Sequence, residues 1–207
     1  MHPSPAFAWT DEAEMLAFVA AIAWARIFAA TPTGLRVAHV PIVVTAQGAL
    51  RFHLAKANAM TPHLSGSRAL AVVEGSSAYV SGNWYAPELG AAPTWNYVAV
   101  ELEGAVAALD REATAANVGD LARILEPRVA EDWTPARLEP RRFEAMLNAI
   151  AGFELAVAET RGTRKLSQNK PVGEIARVLE RLEANDDAAT AAAMRQVRAS
   201  DRLRGRL

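Results

Sequence analysis

A chain of 207 residues, 51% of them hydrophobic, holds enough apolar material for one large domain or a domain with an appendage. Its formal net charge of −1 offers no bulk attraction for nucleic acid. The absence of cysteine removes disulfides, thiolate metal sites, iron–sulfur clusters and a cysteine nucleophile together.

No apolar run is long enough to span a bilayer, and the N-terminus lacks the basic and apolar regions of a signal peptide. The expected compartment is therefore the cytoplasm. After a proline-containing lead-in, Asp11 and Glu14 mark a helix start, with acids where the helix dipole favours them. Met15, Phe18, Val19 and Ile22 recur at helical spacing and predict a helix ending near Trp24 or Ala25. A short strand is expected over residues 27–30, closed by the turn signal Thr31-Pro32-Thr33-Gly34. Residues 35–45 are apolar on both faces, the pattern of a buried strand, with Pro41 asking for a bulge or a local edge.

Residues 49–55 alternate: Leu50, Phe52 and Leu54 face one way, Arg51 and His53 the other. This strand breaks into Lys56-Ala57-Asn58. Such a bend is either an ordinary strand end with a solvated lysine or, through its ammonium and backbone N–H groups, a holder of phosphate. A short helix is expected over 61–65 and a strand over 68–74. Residues 81–93 read as a loop carrying Trp84 and Tyr85. The longest strand candidate spans 94–107, with Gly104 as a bulge. The pattern then turns helical over 111–125 and 140–150, returns to strand over 153–158, and is helical again over 171–184 and 187–198. Strands clustered in 27–107, then helices, then one returning strand, predict an α+β fold with an antiparallel barrel.

Few reaction classes have a signature here. No Gly-x-Ser-x-Gly elbow, Walker loop or Gly-x-Gly-x-x-Gly stretch occurs. The four histidines His2, His39, His53 and His63 show no metal-ligand spacing. His39, among apolar neighbours, is a hydrogen-bonded core residue, a flavin contact or an axial haem ligand. Trp95 and Tyr97 share a face by period two, with Asn96 on the other. Aromatics at this density are core or interface packing, or a wall against a flat ring system. The amides Asn58, Asn96, Gln168 and Asn169 and the cations Lys56, Arg164 and Lys165 complete an inventory that permits a flavin.

In chain order, Val37-Ala38-His39-Val40-Pro41, the stretch ending in Lys56-Ala57-Asn58, Tyr79-Val80-Ser81-Gly82-Asn83-Trp84-Tyr85, Pro93-Thr94-Trp95-Asn96-Tyr97 and Lys165-Leu166-Ser167-Gln168-Asn169-Lys170 are specific in combination. Together they resemble the PaiB-type FMN-binding negative transcriptional regulators, of the flavin split-barrel group that also holds the pyridoxamine-phosphate oxidases. The resemblance runs from about residue 2 to about residue 170. It implies an antiparallel split β-barrel with flanking helices and a helical C-terminal part. The expected domain covers residues 1–184, with a helical insertion at about 111–150 and a helical basic tail over 185–207. It further implies FMN as cofactor, bound at the subunit interface of a homodimer. The contacts it suggests are His39, Val40 and Pro41, then His53, Leu54, Ala55, Lys56 and Asn58. Thr94, Trp95 and Asn96 follow, then Lys165, Ser167 and Gln168. The chain departs from the family pattern at Ala25-Arg26-Ile27-Phe28, Glu101 and Arg164, and its loop after Tyr85 is short.

The implied function is flavin-dependent negative transcriptional regulation. The alternative is a small FMN-dependent oxidoreductase or flavin reductase, with haem binding third. DNA is a possible partner without a recognisable reading motif. The best basic element is the tail, Arg195, Arg198, Arg202, Arg204 and Arg206, opposed by Asp201, which is either a salt-dependent DNA contact or a solvated end.

Overall fold

The computed structural model describes residues 3–203, with side chains through Ala199. Expectations resting on His2, Asp201, Arg202, Arg204 and Arg206 lie outside what it describes. The strands are β1 (Ala8–Trp9), β2 (Trp24–Thr31), β3 (Gly34–Pro41), β4 (Val43–Val44), β5 (Leu50–Ala55), β6 (Arg68–Val80), β7 (Thr94–Ala108) and β8 (Ile150–Lys165). The helices are α1 (Glu12–Ile22), α2 (Thr61–Leu64), α3 (Arg111–Leu125), α4 (Pro140–Asn148), α5 (Val172–Ala184) and α6 (Ala188–Leu203). All eight strands belong to one antiparallel sheet in the order β3-β2-β6-β7-β8-β5-β4, with β1 paired to β8. The path does not close, so β3 and β4 end it. The expected α+β antiparallel architecture is present.

The chain forms two compact units. The first comprises Glu12–Val73 and Glu101–Thr160; the second comprises Glu74–Val100 with the chain before Glu12 and after Thr160. In the first unit, β2 is paired along its whole length to β3, from Trp24↔Pro41 to Thr31↔Gly34. β5 pairs with β8 from Leu50↔Leu155 to Ala55↔Ile150. The alternation of β5 puts Leu50, Phe52 and Leu54 into the core. Phe52 meets its ladder partner Phe153 with ring centroids 5.7 Å apart. Each fully buried side chain of this size contributes about 1.5–3 kcal/mol. Gly104 is where β7 passes so close to β8 that a Cβ would stand 1.8 Å from the Ala156 carbonyl oxygen. The connection from β7 to β8 carries α3 and α4.

In the second unit, β1 pairs Ala8↔Thr163 and Trp9↔Gly162. The chain between β6 and β7 is a loop with two short 3₁₀ turns, Gly82–Trp84 and Pro87–Leu89. α5 and α6 bury Ile175, Val178, Leu182, Ala191 and Met194.

Several boundaries differ from expectation for identifiable reasons. α1 stops at Ile22 because Ala23 takes φ +54° and its N–H still donates to Val19 O. An alanine in the left-handed region gives no glycine signal for a helix end, and Trp24 already belongs to β2. β3 is an edge strand whose Leu35, Val37 and His39 are exposed, and not a strand buried on both faces. His39 is thus a surface residue rather than part of the core. β6 continues through Gly75-Ser76-Ser77 to Val80, and β8 extends to Lys165, well beyond the predicted 153–158. No helix among the described residues is long and apolar enough to cross a membrane.

Candidate functional site

The suggested contacts fall in both units, and each unit contains its own polar pocket. In the first, β5 ends in a tightly bonded bend. Lys56 N–H donates to Ala149 O, Asn58 N–H to Ala55 O, and Met60 N–H to Asn58 Oδ1. The Lys56 and Asn58 N–H groups are therefore spent inside the fold and have no part in holding a phosphate. The cationic group at the bend is the Lys56 ammonium. That side chain is exposed and has no partner among the described residues.

Lys56 lines an open pocket of about 190 Å³ together with Arg111 and Thr114 of α3, and Leu147, Ile150 and Gly152. No carboxylate lines it among the described residues. Asp110 caps α3 by accepting from Ala113 N–H at 2.7 Å, which fixes the helix start beside the pocket. Arg111 is held by Glu144 and donates to Asn148 Oδ1 at 2.8 Å. Thr114 sits over Gly152, the ladder partner of His53, where a Cβ would meet Thr114 Oγ1 at 2.4 Å. His53 is half-buried on the strand face opposite Leu54, and its Nδ1 is buried with no hydrogen-bond partner. Desolvation pushes its imidazole below the ordinary 6.5, so the neutral form is favoured.

The other contacts suggested in this unit are less chemical. Val40 and Leu54 are core side chains, Pro41 is half-buried, and His39 and Ala55 are exposed. Asn58 organises the bend through its side-chain Oδ1, which accepts from Met60 N–H.

The second unit brings Thr94, Asn96, Lys165 and Ser167 into one pocket of about 390 Å³. Asn96 and Ser167 are buried and bonded to each other. Asn96 Nδ2 donates to Ser167 Oγ at 3.0 Å, and Ser167 Oγ lies 3.1 Å from Asn96 Oδ1. Tyr85 Oη approaches Ser167 Oγ at 3.5 Å. Ser167 holds φ +60°, a strained region for a non-glycine residue that surrounding structure must impose. Lys165 donates to Thr94 Oγ1 and, at 2.6 Å, to Trp95 O. Burial first, and the Lys170 ammonium second, push its amine below the ordinary 10.5.

Gln168 stands apart: its amide accepts from Leu166 N–H and donates to Arg164 O, so it ties the loop to itself. Trp95 is exposed on the opposite strand face to Asn96, with Tyr79 edge-on at 6.1 Å. Two pocket cations stand outside the suggested contacts. Arg111 lies 55 positions after Lys56, and no local pattern joins them. Lys170 lies in the Lys165–Lys170 segment, where its spacing from Lys165 was the available signal.

The family model described as "Putative FMN-binding domain" matches residues 1–159. Protease synthase and sporulation protein PAI 2 of Bacillus subtilis (strain 168) is 30% identical over 118 residues, covering 57% of this chain and 56% of its own length. The chain thus spans about half the length of the curated relative it matches. The FAD and heme binding protein from Mycobacterium smegmatis superposes with a TM-score of 0.60 at 15% identity, over 82% of this chain and 78% of that one. The flavocytochrome Anf3 from Azotobacter vinelandii gives 0.59 at 14% identity, over 79% and 72%. These structural likenesses establish the fold, that of the flavin split-barrel proteins.

Proposed function

The chain belongs to the family of PaiB-type FMN-binding domains, and from this we propose that it is a flavin-dependent negative transcriptional regulator holding FMN between two copies of itself in the cytoplasm. FMN is the family's cofactor. The observation that carries the reading is Lys56: an unpartnered ammonium, beside a second cation and a hydroxyl, on a pocket that no described carboxylate lines. The free Lys56 ammonium fits a phosphate oxygen; Arg111 is already held by Glu144, and the Thr114 hydroxyl already donates to Asp110 O. When bound, FMN supplies electron-transfer chemistry; the protein orients it. An exposed apolar face on the β2–β3 ladder supports the homodimer. The regulatory part is supported by the relative whose name couples it to protease synthase and sporulation.

Lys56→Ala tests the cofactor reading. Losing a charge-assisted hydrogen bond weakens FMN binding about ten- to a hundred-fold, since each ~1.4 kcal/mol is tenfold. Riboflavin, which lacks the phosphate, keeps its affinity. Flavin fluorescence titrations of both ligands against both proteins give the answer; equal losses would move the role of Lys56 to the ring pocket or the fold. For the regulatory part, transcript levels in cells carrying the variant should rise to those of a deletion strain. Unchanged repression would remove flavin from the mechanism, and rapid oxidation of a nicotinamide cofactor by the pure protein would replace regulator with oxidoreductase.

A further inference from the structure

The pocket of the second unit has no counter-charge of its own. Its two cations, Lys165 and Lys170, face about 390 Å³ of open volume, and no Asp or Glu lines it among the described residues. Neither ammonium is paired with a carboxylate among the described residues. Lys165 rests on neutral oxygens, Thr94 Oγ1 and Trp95 O. Lys170 stands 5.1 Å over the Tyr85 ring, a contact that leaves its N–H donors free. Dipoles of this kind orient an ammonium without cancelling its charge. Two like charges around one hollow repel each other, and the repulsion is relieved by a bound anion. The Lys165 amine is lowered first by burial and second by the Lys170 ammonium. Behind the lysines, the buried Asn96–Ser167 pair and Tyr85 form a fixed polar floor.

We infer that this pocket binds a second ligand, a small ring-bearing phosphomonoester distinct from FMN. FMN has one phosphate, and the inference rests on its being seated at Lys56. The charge of a phosphomonoester, close to −2 at neutral pH, matches two ammonium groups. The pocket volume exceeds the needs of a bare phosphate, and the Tyr85 and Phe7 rings supply an apolar wall for the rest.

The test uses the full chain saturated with FMN and titrated calorimetrically with phenyl phosphate and with inorganic phosphate. Phenyl phosphate should bind, and more tightly than inorganic phosphate. Lys170→Met keeps an unbranched side chain and removes the ammonium that stands over Tyr85; it should weaken phenyl phosphate at least about tenfold and change FMN affinity less than about twofold. Lys170→Arg should restore binding. Lys56→Ala should do the reverse, weakening FMN and sparing phenyl phosphate. No binding of phenyl phosphate to the FMN-loaded protein, or equal binding by Lys170→Met, would overturn this inference and leave the Lys56 reading intact. If Lys170→Met weakens FMN but not riboflavin, the pocket is the FMN phosphate socket, and both assignments fall.

Discussion

His53 shows how one strand residue couples the sheet to solution pH. Its alternation with Leu54 turns the imidazole away from the core, yet Nδ1 is buried and unpartnered. Charging it there costs free energy, so its folded pKa lies below the ordinary 6.5. The sign of the linkage follows. Above about pH 6.5 the ring is neutral in both states and adds no pH dependence. As pH falls through 6.5 toward the lower folded value, the unfolded chain takes the proton first, and stability drops. Below the folded value the loss is complete. Thermal melts of wild type should therefore lose more between about pH 7.5 and 5 than melts of His53→Gln. Parallel losses in the two proteins would mean that Nδ1 finds a partner when protonated.

At the scale of elements, β7 and β8 are held in register by a missing side chain. Gly104 has the Ala156 carbonyl where its Cβ would be. Backbone cannot rotate away as a flexible side chain can, so Gly104→Ala should destabilise by about 3 kcal/mol. Gly119 in α3 has open space around its Cα, and Gly119→Ala should stabilise by about 0.5–1 kcal/mol through helix propensity. Urea denaturation of both variants checks the pair; a harmless Gly104→Ala would show that the two strands can part without cost. The same elements show what local sequence reveals. β5 and α3 were legible because burial on one face writes a period of 2 or 3.6 into the chain. β8 was legible only over its apolar middle. Its polar end, through Thr163, is a strand because β1, some 150 residues earlier, pairs with it, and no local pattern records that. β3 read as buried because apolar residues on both faces do not reveal that one face awaits a partner. The candidate sites divide similarly. Lys56 stood out on its bend, whereas the pairings of Lys56 with Arg111 and of Asn96 with Ser167 are made by tertiary structure.

For the whole molecule, the β2–β3 ladder presents the surface on which a second copy would dock. On one face, Trp24, Arg26 and Phe28 stand opposite Pro41, His39 and Val37, and Ala30 opposite Leu35. Trp24 is 49% exposed, Phe28 37%, Leu35 78% and Val37 44%. Four large apolar side chains on one ladder form a patch of the kind that marks an interface. On the other face of the ladder Ala25, Ile27, Ala29, Ala38 and Val40 are buried, so the fold does not need this patch for its own core. A second copy of the chain is the occupant we propose, and its burial of the patch would be coupled to FMN held at the same interface. Val37→Asp places a charge in the middle of the patch without touching the core face. Light scattering should give twice the chain mass for wild type and close to one chain mass for the variant. Flavin titration should show FMN affinity reduced at least about tenfold, because dissociation removes half of each site. A Val37→Asp dimer would place the interface elsewhere, and a monomer that binds FMN normally would confine the cofactor to one chain.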